Sequence, residues 1–177
     1  MAKTENPRVL LDSCALLAWI KGEPEVEVMG VLLNLFEASK AQLVVSCAIF
    51  AEVYKPAPEG ATWQPQMEAV QRKLRSRDVE TVDVSEPIAT LAAKYRVEHG
   101  MGGMDSLHLA TAVRSRCNWL ITKDHKFPTQ VENLRVWDVH KCAANDLPWM
   151  ASPEAMQPGL FDEPSNVIKF SPRYDFE

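Results

Sequence analysis

The chain has 177 residues, 46% hydrophobic and 24% charged, with a formal net charge of −5. That length and apolar content suit one globular domain with a full core, and the acidic balance argues against a nucleic-acid binder that works by bulk positive charge. Its four cysteines, Cys14, Cys47, Cys117 and Cys142, show no CxxC spacing, which excludes the usual zinc and disulfide frameworks; three fall in apolar segments where a thiol packs as a small hydrophobe.

The N-terminal stretch MAKTENPR carries no signal-peptide core, and no run of about 18 apolar residues follows it, so a cytoplasmic protein without membrane contact is expected. Val9, Leu10 and Leu11 form the short apolar run of a strand buried on both faces, predicted over 8–12 and closed by Asp12. Ser13–Ile20 reads as a short helix, and Val28, Leu32, Leu35 and Phe36 at helical spacing predict a longer one over 25–39. A second strand over 42–46 leads into a helix over 47–54 that stops before Pro56 and contains Glu52. The segment KPAPEGATWQPQ reads as a loop. A helix over 67–77, a strand over 79–84, a helix over 87–99 opened by Ser85, and a last core helix over 105–116 follow. Strands over 118–122 and 134–139 complete the pattern, with Asp124 just after the first of them.

This alternation predicts an α/β, three-layer domain over residues 1–142, with a central, mostly parallel five-stranded sheet flanked by helices. Residues 143–177 read as a Pro-rich tail, extended or packed on the domain or on a partner through large apolar groups such as Leu160 and Phe161.

Asp12, Glu52, Asp105 and Asp124 fall at strand ends and helix starts of the kind an open parallel sheet gathers at its carboxyl edge. Four carboxylates in one cleft repel one another, and hard, oxygen-seeking cations such as Mg²⁺ or Mn²⁺ are the usual remedy. The layout is that of a metal-dependent nuclease. Taken singly, each acid has a plainer reading: Asp12 as a helix cap, Asp105 as a partner of the helix dipole, Glu52 as a solvated helix residue, Asp124 as a turn residue. His108, one turn after Asp105, reads as a packed structural histidine.

The motifs LLDSCALL, AEVY, MDSLHLATA and LITKDHKF, in this order, resemble the PIN domain family, especially the VapC-like ribonucleases of toxin–antitoxin pairs, over residues 8 to about 140. The resemblance implies that Asp12, Glu52, Asp105 and Asp124 are the catalytic, metal-holding residues for one or two Mg²⁺ or Mn²⁺ ions. It makes RNA the substrate, cleaved to 5′-phosphate and 3′-hydroxyl ends, and implies an antitoxin partner and a homodimer. Ser13 and Thr122 would orient the neighbouring carboxylates. Lys123 departs from the pattern, since many members carry Asn there.

Acidic walls repel phosphate, so RNA contacts must come from elsewhere. Arg72, Lys73, Arg75 and Arg77 form the densest basic run, and Arg114, Arg116, Lys123 and Lys126 lie near the acidic motifs in sequence; a solvated helix face is the plainer reading of the first run. Trp63 offers a ring for base stacking, but core packing or a dimer contact is the expected role. In the tail, Gln157, Leu160 and Phe161 resemble the Gln-x-x-Leu-Phe peptide by which bacterial proteins dock on the replication sliding clamp. A haloacid-dehalogenase-type phosphatase needs a second Asp where Cys14 stands, and a receiver domain needs a mid-chain phosphoacceptor Asp that is missing. A non-catalytic scaffold of the same fold, binding RNA or protein, stays open.

Overall fold

Short runs of large aliphatic and β-branched residues make the sheet: RVLL in β1 (Arg8–Leu11), QLVVS in β2 (Gln42–Ser46), VETV in β3 (Val79–Val82) and WLIT in β4 (Trp119–Thr122), followed by β5 (Gln130–Val131) and β6 (Leu134–Asp138). The computed structural model describes residues 6–20, 41–53, 68, 71–72, 74–77 and 79–140. The helix expected over 25–39, Trp63, Lys73 and the tail with Gln157, Leu160 and Phe161 lie outside the described residues. Of the helix expected over 67–77, Glu68, Gln71, Arg72 and Leu74 are described and helical.

The strands lie in the order β3-β2-β1-β4-β6-β5, parallel throughout except for the antiparallel β5–β6 hairpin. The chain runs outward from β1 to β3 and then returns to the other side of β1 as β4, so the switch point of the topology falls between β1 and β4. Crevices form at such points, beyond the carboxyl ends of the strands. The β5 strand is additional to the five expected; two residues are too few to show alternation, and the hairpin turns through Glu132 at φ 52°.

Besides those helical residues, the described helices are α1 (Ser13–Ile20), α2 (Ile49–Val53), α3 (Glu86–His99) and α4 (Gly103–Arg114). Leu10, Val44 and Leu120 stand side by side in register and pack with Leu109, Ala110 and Ala112 of α4 and Ile88, Ala92 and Tyr95 of α3. The alternate residues Leu11, Val45 and Ile121 are equally buried on the opposite face, which α1 helps to cover. Both faces are therefore dry, which is why the central strands read as unbroken apolar runs. Ser85 occupies the N-cap position of α3 with Pro87 in its first turn, and Gly100, at φ 64°, ends the helix in the left-handed region that suits glycine. Helix α4 starts two residues earlier than expected, after Gly102, and stops at Arg114, because Arg116 turns to φ 53°.

Candidate functional site

Asp12 leaves β1 at the switch point. Its N–H continues the ladder to the Ile121 carbonyl at 3.0 Å, and its own carbonyl accepts from Leu16 N–H at 3.2 Å, so the residue ends a strand and opens α1 together. The residue is 1% exposed, and a buried carboxylate needs donors. Oδ1 accepts the Ser13 amide at 2.8 Å; Oδ2 accepts the Thr122 hydroxyl at 2.8 Å and the Cys14 thiol at 2.7 Å. Ser13 thus reaches Asp12 through its backbone, while Thr122 reaches it through the hydroxyl that the sequence suggested.

The turn after β4 is built on the same atoms. Asp124 N–H donates to Thr122 Oγ1 at 3.0 Å, Lys123 N–H donates to Cys14 Sγ at 3.1 Å, and Asp124 Oδ1 accepts Lys126 N–H at 2.9 Å. Burial and the Asp12 charge push the Cys14 thiol up to about 12, so it keeps its proton and serves as a donor. Cys14 is therefore a polar member of the site, not simply the small packed hydrophobe that its apolar surroundings imply.

Glu52 comes from α2 and His108 from α4. His108 is 0% exposed; its Nε2 lies 2.8 Å from Glu52 Oε2 and 3.8 Å from Asp12 Oδ1. Burial alone depresses its pKa, but the hydrogen bond to Glu52 and the charges of Asp12, Glu52 and Asp105 more than reverse this, and the net direction is upward. Its Nδ1 is buried without a hydrogen-bond partner among the described residues. The packed histidine is thus also the basic group among the acids.

Asp105 sits in the first turn of α4, half-buried. Burial raises its pKa, and the charges of Asp12, Asp124 and Glu52 raise it further, with His108 opposing. All four acids named from the sequence therefore bear on one locality. Gly102 makes room for it: a Cβ there would stand 2.7 Å from Asp105 Oδ2.

The basic candidates divide. Lys123 and Lys126 flank Asp124. Arg114 is nine residues beyond Asp105 on α4, about 14 Å along the axis, and lines a cleft of about 520 Å³ with Glu86, Pro87, Thr90, Leu91 and Lys94. Arg116 lies beyond it, and Arg72, Arg75 and Arg77 are exposed.

One acid went unmarked in the sequence. Asp138 ends β6 in register with Thr122 and is 7% exposed; its Oδ1 accepts His140 N–H at 2.9 Å, and its Oδ2 lies 3.5 Å from His125 Nδ1. The signal was present, since LRVWD closes an apolar run with Asp as RVLLD does.

Mutually repelling carboxylates around a buried, hydrogen-bonded Asp12 are the donor chemistry that a hard divalent cation takes. The fit is one of donor type and charge: no three His, Cys, Asp or Glu side chains among the described residues are gathered closely enough to hold an ion as they stand.

The PIN domain family model matches residues 9–131. A chain of a toxin–antitoxin complex from Klebsiella pneumoniae is 25% identical, covering 71% of this chain and 94% of that one with a TM-score of 0.53. DNA-bound VapBC from Salmonella typhimurium (21% identical, 75% and 98% covered, TM-score 0.55) and VapBC2 from Rickettsia felis bound to a promoter DNA fragment (18%, 74% and 98%, 0.54) share the fold. No curated protein sequence matches the chain.

Proposed function

The chain belongs to the PIN domain family, and from that premise we propose that it is a divalent-metal-dependent endoribonuclease, the toxin of a toxin–antitoxin pair. The observation that carries the reading is the meeting of Asp12, Glu52, Asp105 and Asp124 beside the β1/β4 switch point, where the other three charges bear on Asp105.

Asp12, Glu52, Asp105 and Asp124 would hold one or two Mg²⁺ or Mn²⁺ ions, which would supply Lewis-acid activation of water and charge stabilisation for phosphodiester hydrolysis to 5′-phosphate and 3′-hydroxyl ends. The chain's own residues supply oxygens at fixed places. Asp12 is held by three donors, Asp124 is set by the turn that Thr122 and Lys126 close, and Glu52 is held by His108. Lys123 and Lys126, flanking Asp124, are the basic residues nearest the acids in sequence and offer the first contacts for RNA phosphates, with Arg72, Arg75 and Arg77 as a second basic surface. The likeness to a chain of a toxin–antitoxin complex supports an antitoxin as partner, and the resemblance to VapC-like toxins supports a cytoplasmic homodimer.

The test is cleavage of a mixed pool of structured and single-stranded RNAs with Mg²⁺, Mn²⁺ or EDTA, by wild type, Asp12→Asn and Asp105→Asn. Metal-dependent cleavage lost in both variants is expected. A folded wild type that neither cleaves nor binds Mn²⁺ would return the chain to the non-catalytic scaffold.

A further inference from the structure

Two hydrogen-bond relays run side by side from the turn after β4 to the acid at the end of β1. In one, Asp124 N–H donates to Thr122 Oγ1 at 3.0 Å and the Thr122 hydroxyl donates to Asp12 Oδ2 at 2.8 Å. In the other, Lys123 N–H donates to Cys14 Sγ at 3.1 Å and the Cys14 thiol donates to the same Oδ2 at 2.7 Å. A hydroxyl and a thiol have one hydrogen each. Both hydrogens are spent on Oδ2, and the 3.3 Å approach between Cys14 Sγ and Thr122 Oγ1 is left as a contact without a hydrogen of its own.

The consequence is mechanical. Cys14 is in the first turn of α1, Thr122 is the last residue of β4, and Lys123 and Asp124 are the turn itself, so the two relays lock together two stretches, 12–14 and 122–124, that the chain brings in from 108 to 110 residues apart. Thr122 alone fixes a distance from Oδ2 to β4. Two donors arriving from different elements fix the carboxylate's orientation as well. A sulfur that merely filled space would accept no backbone amide and would not face a carboxylate oxygen.

We propose that Cys14 is a positioning residue of the metal pocket: the thiol donor that, paired with Thr122, holds Asp12 in register with the turn carrying Asp124 so that the two carboxylates take a divalent cation together. This rests on the divalent-metal reading above. Cys14 acts through Asp12 and needs no contact with the ion or the RNA.

The experiment is Mn²⁺ binding to the full chain, read from the electron paramagnetic resonance signal of the free ion, for wild type, Cys14→Ser and Cys14→Ala, with thermal unfolding of each metal-free protein alongside. Cys14→Ala is expected to weaken Mn²⁺ binding about tenfold while remaining folded, and Cys14→Ser, which keeps a donor, to stay within about threefold of wild type. Wild-type affinity in Cys14→Ala overturns the inference and returns the thiol to packing. A folded Cys14→Ser as weak as Cys14→Ala overturns it too, because a donor alone then does not suffice; should Cys14→Ala not fold, Cys14→Ser decides in the same way. A wild type that binds no Mn²⁺ overturns the metal reading itself and the inference with it, whereas a wild type that binds beside an unaffected Cys14→Ala overturns the inference alone.

Discussion

Toward the amino end of the sheet, Arg8 of β1 meets Glu80 of β3 through two hydrogen bonds of 2.8 and 2.7 Å and gives its Nε to the Ser115 carbonyl at 2.9 Å. At the carboxyl end, the charges of Asp12, Asp124 and Glu52 act on Asp105, and His108 is hydrogen-bonded to Glu52. The same strands thus carry a matched pair at one end and an excess of one sign at the other. A fork of guanidinium on carboxylate answers the folding problem locally. The acidic end is held by hydrogen bonds to Asp12 while the repulsion felt by Asp105 stays in place, and that is the charge pattern the proposed divalent cation would relieve.

The comparison breaks first at the acids. Asp12→Asn and Asp105→Asn are each expected to lower RNA cleavage about 100-fold or more. Metal-free Asp105→Asn should nonetheless melt higher than wild type, by roughly 1–3 °C after allowance for solvent screening, since an uncharged side chain escapes its neighbours. A lower melting point in calorimetry would mean that the carboxylate is wanted by the fold itself.

His108 is the next lever. His108→Leu leaves Glu52 and Asp12 without the basic group beside them and is expected to cost about 2–4 kcal/mol in metal-free urea unfolding. Saturating Mn²⁺ should recover part of that loss, because a bound cation replaces the missing positive charge; equal losses with and without Mn²⁺ would reduce His108 to a packing residue.

Gly102→Ala separates stability from function. Its φ of −64° and ψ of 161° suit alanine, so the cost in urea should come only from the N-cap position, where glycine outranks alanine, at about 1 kcal/mol. The new Cβ meets the Asp105 carboxylate at 2.7 Å and must turn it away, for an expected weakening of Mn²⁺ binding of about tenfold.

The smallest effect belongs to the matched end. The hydrogen bond from Arg8 holds the Glu80 carboxyl below its usual 4.5. A folded-state pKa below the unfolded one contributes stability above the unfolded value, and that contribution fades as pH falls through the folded value. Both side chains are partly exposed, so Glu80→Gln should cost only about 0.5 kcal/mol at neutral pH. Wild type and variant should converge as pH is lowered below 4.5; a difference that persisted in acid would point to shape in place of charge.

Local pattern made much of this protein legible. Strands buried on both faces must be apolar along their length, so VLL, LVV and WLI announced β1, β2 and β4, and the polar residues that follow such a run stand where the sheet opens. Asp12 and Asp124 were readable for that reason, and Glu52 and Asp105 because each lies at the start of a helix after a strand or a glycine turn. Two-residue β5 was too short to show a period.

What only the tertiary structure decided is which group touches which. His108 and Glu52 are 56 residues apart, Thr122 and Asp12 are 110 apart, and Lys123 and Cys14 are 109 apart. A residue's own neighbours in sequence carry no trace of such partners. Cys14 therefore looked like a core thiol and His108 like a packed ring, until the switch point set β1 beside β4 and brought α2 and α4 over the gap. Residue type and local period specify the strands and the acids; the hydrogen bonds that tie Asp12 to the turn of Asp124, and Glu52 to His108, exist only once those strands lie in register.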